Sequence, residues 1–215
     1  MATLCIYCGV EPGTTNDHVP AKNLFPKPLP KLITVPSCGT CNQRYKKDEE
    51  LFRAWILFGS AGVTKHGKLL WDQKLHRGYK KNLGLKKVIA RSLRQVDLVT
   101  QGGIYIGRRW EISPDAKRIE NVLWKIVRGL FWVEYKERLP EDIPTEIIPI
   151  HSKRDPRISE AIPRTRQSAA FWEGIFECRY IRSHMNTYES FWLMAFYRQN
   201  YFAVKVDFQE HDTEL

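Results

Sequence analysis

The sequence predicts an α+β protein, and three observations carry that prediction. Between Ile119 and Phe131 apolar residues recur at three- and four-residue spacing, the pattern of a helix with one buried face. Towards the C-terminus Phe176, Cys178 and Tyr180 alternate with Glu177 and Arg179, and Phe202, Val204, Val206 and Phe208 alternate again, as strands do. At the N-terminus two Cys-x-x-Cys pairs, Cys5/Cys8 and Cys38/Cys41, bracket a stretch with little apolar core of its own. The expected layout is a small cysteine-clamped unit over residues 1–60, followed by an α+β domain with an antiparallel sheet over residues 61–215.

A Cys-x-x-Cys turn aims two sulfurs at one point, and two such turns complete the tetrahedron that a structural Zn2+ prefers. Thiolates are soft ligands and select zinc over magnesium or calcium. A short segment gains much of its folding free energy from such a site. Two disulfides or a redox pair are the alternatives, and neither is favoured. Redox Cys-x-x-Cys motifs occur singly, and no export-type segment precedes Cys5 to indicate an oxidising compartment. A reducing, cytoplasmic setting is therefore expected, and Cys178 is read as a strand residue.

Inside the cysteine bracket lies Thr15-Asn16-Asp17-His18-Val19-Pro20, and the β-branched run Leu32-Ile33-Thr34-Val35 precedes the second pair. These read as two short strands of a hairpin. After Cys41, the residues Leu51, Phe52, Trp55, Ile56 and Phe58 recur at helical spacing, so a helix should follow and end near Phe58, before Gly59-Ser60-Ala61-Gly62. Two strands and a helix would bring His18, at a strand end, opposite Asn42, at a helix start.

This stretch resembles the HNH nuclease family, whose core is the ββα-metal fold. The matching residues are Cys5-Ile6-Tyr7-Cys8, Asp17-His18-Val19-Pro20 and Cys38-Gly39-Thr40-Cys41-Asn42-Gln43-Arg44-Tyr45-Lys46, and the likeness covers roughly the first sixty residues. The resemblance implies that His18 is the general base, and that Asp17 and Asn42 hold one catalytic divalent cation, Mg2+ or another. It also favours DNA over RNA as substrate. One position departs from the family pattern. The central Asn of the second strand is missing from Leu32–Ser37, where Thr34 is the partial substitute and Asn23 is nearby in sequence but out of place.

The residue types suit phosphodiester cleavage independently of the family. A neutral imidazole with a pKa near 6.5 can deprotonate an attacking water at physiological pH. A hard cation held by a carboxylate and an amide oxygen can neutralise charge on the leaving oxygen. Lys46 and Lys47, at the helix start, are candidate phosphate contacts.

Residues 20 to 36 carry Pro20, Pro26, Pro28, Pro30 and Pro36 and are expected as a rigid extended insert. Residues 65 to 94 hold ten lysines and arginines, Lys80, Lys81, Lys86 and Lys87 among them, with Asp72 as the one acid. Interleaved leucines make two amphipathic helices broken near Asn82-Leu83-Gly84, a candidate phosphate track. A β-hairpin should turn on Gly102-Gly103. Ser113 should cap the helix that carries the Ile119–Phe131 stripe, with Pro114 at its first position. Leu139–Pro163 is a proline-punctuated connection with one short strand at Thr145–Ile150, and three antiparallel strands follow it.

With 43% hydrophobic residues over 215 positions the chain can build a sizeable core. No apolar run reaches the ~18 to 20 residues that span a bilayer, so no membrane partner is expected. A net charge of +10 points to a polyanion, most economically nucleic acid. The primary expectation is thus a metal-dependent HNH-type endonuclease. Its rivals are a catalytically inert zinc-knuckle nucleic-acid-binding module and a zinc-stabilised protein-interaction domain, with homodimerisation through the C-terminal sheet as a further expectation.

Overall fold

The computed structural model describes residues 3–60, 63–75, 82–100, 102–113, 115–150 and 154–208. It is α+β throughout. The N-terminal hairpin pairs β1 (Thr15–His18) with β2 (Thr34–Ser37) antiparallel, Thr15 across from Ser37 and His18 across from Thr34. The second strand therefore starts two residues later than its β-branched run suggests. Leu32 and Ile33 lead into it, and the Ile33 carbonyl accepts from the Val19 N–H at 3.0 Å.

The helix after the second cysteine pair comes in two pieces, α1 (Gly39–Arg44) and α2 (Lys46–Ser60), separated at Tyr45. Asp48 and Glu49 lie in the first turn of α2, where the helix dipole favours negative charge. The helix runs two residues beyond Phe58, and Ser60 is fully buried with its hydroxyl bonded back to the Ile56 carbonyl.

Next come α3 (Lys65–Leu70), continued by a π-helical turn over Trp71–Leu75, and α4 (Leu83–Ser92). Asn82 caps α4 by accepting from the Leu85 N–H at 3.0 Å, which explains the expected break there. Strands β3 (Leu93–Val99) and β4 (Tyr105–Ile112) form a separate hairpin, with Gly103 at φ +80° in its turn.

Helix α5 (Ala116–Tyr135) is capped by Asp115, whose carboxylate accepts from the Arg118 N–H at 3.3 Å. Ser113 is not the cap, because the helix begins at Ala116, two residues later than expected; the Ser113 N–H instead donates to the Ser92 carbonyl and holds the hairpin to α4. Pro114 lies outside the described residues.

The C-terminal sheet has five strands: the expected short strand at Thr145–Ile150, the three expected after it, and a two-residue edge strand that was not expected. Its order is β5-β9-β8-β7-β6, with β5 (Thr145–Ile150), β6 (Arg166–Gln167), β7 (Phe176–Arg182), β8 (Ser190–Phe196) and β9 (Asn200–Val206), every neighbour antiparallel. The short α6 (Pro156–Ala161) sits in the connection between β5 and β6. Alternation along β8 sends Trp192, Met194 and Phe196 to one face of the sheet. Phe131 of α5 and Phe52 of α2 pack there, with ring centroids 6.4 Å from Trp192 and 5.0 Å from Phe196. Leu193, on the other face, joins Ile150, Ile158 and Ala203 in a small cluster under α6.

One hydrophobic cluster thus runs from Cys5 and Tyr7 through Phe52 and Phe131 to Val206, so residues on either side of position 60 share a core. Burying each large side chain contributes about 1.5–3 kcal/mol. Hydrogen bonds also cross that boundary: Tyr197 donates to the Leu24 carbonyl, and Arg128 to the Tyr7 carbonyl. Among the described residues no helix is long and apolar enough to cross a membrane.

Candidate functional site

The metal-ligating residues come together as expected. The sulfurs of Cys5, Cys8, Cys38 and Cys41 all lie within 4.8 Å of one another. A tetrahedral zinc site with bonds of about 2.3 Å needs sulfurs about 3.8 Å apart, so small side-chain adjustments close the shell. Gly9, at φ +69°, closes the first turn by donating to the Cys5 carbonyl at 2.8 Å, a conformation that a Cβ would strain. In the second turn the Cys38 sulfur is the cap of α1 and accepts from the Cys41 N–H at 3.4 Å. Burial raises the Cys5 pKa, but backbone N–H groups at Cys8, Cys38 and Tyr7 outweigh it and bring the thiol down to about 6. Such a thiol gives up its proton to a metal readily. The four cysteines form a cluster able to hold a metal such as zinc. Cys178 is a buried residue of β7.

Asp17, His18 and Asn42 take different positions from one another. Adjacent residues of a strand face opposite sides, so Asp17 points inward with Val35 while His18 faces out across from Thr34. Asn42 packs at the far end of β1, where its amide donates to Thr15 Oγ1 at 3.0 Å. Three residues of strand, about 10 Å, separate Thr15 from His18, so His18 is not opposite Asn42. Asn23 occupies a 3-10 turn over Lys22–Leu24, and its side-chain oxygen is buried without a hydrogen-bond partner among the described residues.

Asp17 already has a cation. Lys125 of α5, only 3% exposed at its side chain, places its ammonium 2.7 Å from Asp17 Oδ2 and also pairs with Glu49 of α2. Tyr7 donates to the same Asp17 oxygen at 2.9 Å. Burial alone would lower the Lys125 pKa, but the carboxylates of Glu49 and Asp17 more than reverse this and keep it charged. Asp17 and Asn42 therefore do not fit a catalytic divalent cation as they stand. A second positive charge would have to share Asp17 with an ammonium buried beside it.

His18 is half-buried, and its ring hydrogen-bonds to no other described residue. Burial first, and then the charge of Lys22, hold its pKa below the ordinary value, with Asp17 pulling weakly the other way. The imidazole is neutral at physiological pH. Lys22 itself is exposed, in the 3-10 turn that follows Pro20.

Of the candidate phosphate contacts, Lys46 and Lys47 are exposed at the start of α2, and Lys86 and Lys87 are exposed on α4. Lys47 lines a cavity of about 300 Å³ at the N-terminal end of α4 together with Glu50, Asn82, Leu85 and Arg118, and Lys86 and Lys87 do not line it. Lys80 and Lys81 lie outside the described residues.

Sequence reasoning missed Lys125, Arg128 and Glu49. The signal was present in the run from Val122 to Phe131, where Lys125 and Arg128 are the two charges in an otherwise apolar helix. Cations inside such a run require buried partners, here Asp17, Glu49 and the Tyr7 carbonyl. Comparison with known families, with curated proteins and with solved structures finds no match for this chain.

Proposed function

We propose that the chain hydrolyses phosphodiester bonds of nucleic acid, DNA before RNA, with His18 as the general base that activates water. The observation that carries this reading is the environment of His18. A neutral imidazole, free of hydrogen bonds among the described residues, is held at the end of a zinc-knuckle hairpin beside the exposed cation Lys22. In this reading the ring accepts the proton of the attacking water, and Lys22 contacts the phosphate. The +10 charge of the chain draws the polyanion in. The zinc supports the hairpin and takes no part in the chemistry.

Supercoiled plasmid offered to the wild type and to His18→Ala tests the reading. Nicking by the wild type alone supports it, and equal nicking by both removes it. Added Mg2+ or Mn2+ separates two routes to charge neutralisation. Dependence on the ion would mean that Asp17 exchanges Lys125 for the metal, whereas independence would leave that role to lysines.

A second reading is favoured by the Lys125–Asp17 pair itself. With its carboxylate permanently neutralised, the unit would be a zinc-knuckle nucleic-acid-binding module without catalysis. That reading expects salt-sensitive binding, unchanged by His18→Ala, and no cutting under any metal condition.

A further inference from the structure

At the C-terminal end of α5 the structure holds a cavity of about 670 Å³. Tyr135 from the last turn of α5, Arg164 from the 3-10 turn before β6, Arg166 from β6 at the edge of the sheet, Tyr180 and Arg182 from β7, and His184 from the loop after it contribute its wall. Lys125 and Tyr135 are ten positions apart on α5, so the cavity lies about 15 Å along the helix from the Asp17 cluster. The lining includes three arginines and a histidine and no carboxylate.

The arginines are arranged on rings. The Arg166 guanidinium lies 4.7 Å from the centroid of Tyr180 and donates to the Tyr135 hydroxyl at 3.2 Å. Arg182 lies 4.5 Å from the Tyr135 centroid, with its charge spent on Glu137 at 2.7 Å. Glu134 receives the Tyr180 hydroxyl at 2.7 Å, which fixes the ring. Arg166 is thus stacked and oriented, and it forms no salt bridge among the described residues, with Glu134 acting on its charge only at longer range. Arg164 beside it is exposed.

A planar guanidinium fixed on a ring keeps its outward donors preset for a phosphate, because little rotamer freedom remains to be lost. The same ring-and-guanidinium surface is one on which a base can stack. The volume falls within the range of small-ligand sites, about 300–1,000 Å³, which suits one splayed nucleotide and not a duplex. We propose that this cavity binds a nucleotide unit of single-stranded nucleic acid, its phosphate on Arg164 and Arg166 and its base against the Tyr135–Tyr180 wall. The choice of a nucleic-acid strand over other phosphorylated aromatics rests on the functional reading above.

The test uses the full, metal-loaded chain carrying His18→Ala, so that no cleavage intervenes. Fluorescence anisotropy is read with a labelled single-stranded 15-mer and with the same sequence as a duplex, and unlabelled nucleoside monophosphate is the competitor. Adding Arg164→Ala and Arg166→Ala should raise the single-strand Kd at least tenfold and leave the duplex Kd within twofold. Arg166→Lys, which keeps the charge and loses the fork, should raise it severalfold. Both arginines are exposed, and thermal melting verifies that the variants fold.

An unchanged single-strand Kd overturns the proposal, as do equal losses for both forms, which would reduce the arginines to part of a general field. Arginine-dependent binding of the monophosphate without strand binding overturns the strand and leaves a free-nucleotide site. Arginine-dependent strand binding by a wild-type chain that never cuts would keep this pocket and remove the nuclease reading. His18-dependent cutting with arginine-independent binding would do the reverse.

Discussion

The Lys125 ammonium stands 2.7 Å from Asp17 Oδ2, in the interior, at the position where the family resemblance would have put a divalent cation. Helix α5 delivers it from more than one hundred residues downstream in the chain. The consequence is a hairpin whose inward carboxylate is neutralised by protein, and whose outward histidine is left to act without it.

Replacing Lys125 with Ala leaves Asp17 and Glu49 buried without their cation. Removing one partner of a buried pair costs about 3–5 kcal/mol, and chemical denaturation should show a loss of that order. The vacated site should then respond to metal. Added Mn2+ should raise the Tm of Lys125→Ala while leaving that of the wild type unmoved. An equal response in the two proteins would mean that the pair does not exclude the ion.

Loading of the cysteine cluster is measured by elemental analysis. One zinc per chain is expected, falling to none in a Cys38→Ser, Cys41→Ser double variant. Because Cys5, Cys38 and Cys41 belong to the same hydrophobic cluster as Phe52 and Trp192, stripping the metal should loosen more than the hairpin. Near-UV circular dichroism from the tryptophans should change on chelation.

The acid limb of activity follows from the His18 environment. Burial, with Lys22 next, lowers its pKa from 6.5, so the neutral base should persist as pH falls through 6.5 and be lost only below it. Lys22→Ala removes one of the depressing cations and should move the limb upward. The stability linkage has the same direction. The unfolded chain takes up this proton first, so His18 costs stability progressively as pH drops below 6.5.

Gly129 tests how tightly α5 is pressed against the N-terminal hairpin. A Cβ at this position would lie 2.5 Å from Val19 Cγ2, one residue after His18. Glycine to alanine in a helix ordinarily gains up to about 1 kcal/mol. Here Gly129→Ala should lose about 1–3 kcal/mol through overpacking. Val19→Ala in the same chain should restore most of that loss, and a double-mutant cycle by denaturant unfolding reads the coupling.

What was legible in the sequence was whatever depends on local period. The stripe on α5, the alternation of β7 and β9, the break near Asn82 and both cysteine turns follow from neighbours within a few residues. The choice between adjacent cap candidates depends on where the helix begins: it starts at Ala116, so Asp115 and not Ser113 is in place to accept from the Arg118 N–H. Long-range pairings left only indirect traces. Lys125 and Arg128 stood out as charges in an apolar run, but nothing local names Asp17, Glu49 or Tyr7 as their partners. The arginine–tyrosine cavity draws on three separate segments, from Tyr135 to Thr187, none of which carries a motif alone.

The most direct measurement is the rate of plasmid nicking by the wild type and by His18→Ala, side by side at pH 7 with and without Mg2+. The account predicts cutting by the wild type and a loss of at least about a hundredfold on removing the base, the lower end of what general-base catalysis contributes. Equal rates in the two proteins, or no cutting by either while both still bind DNA, would contradict it.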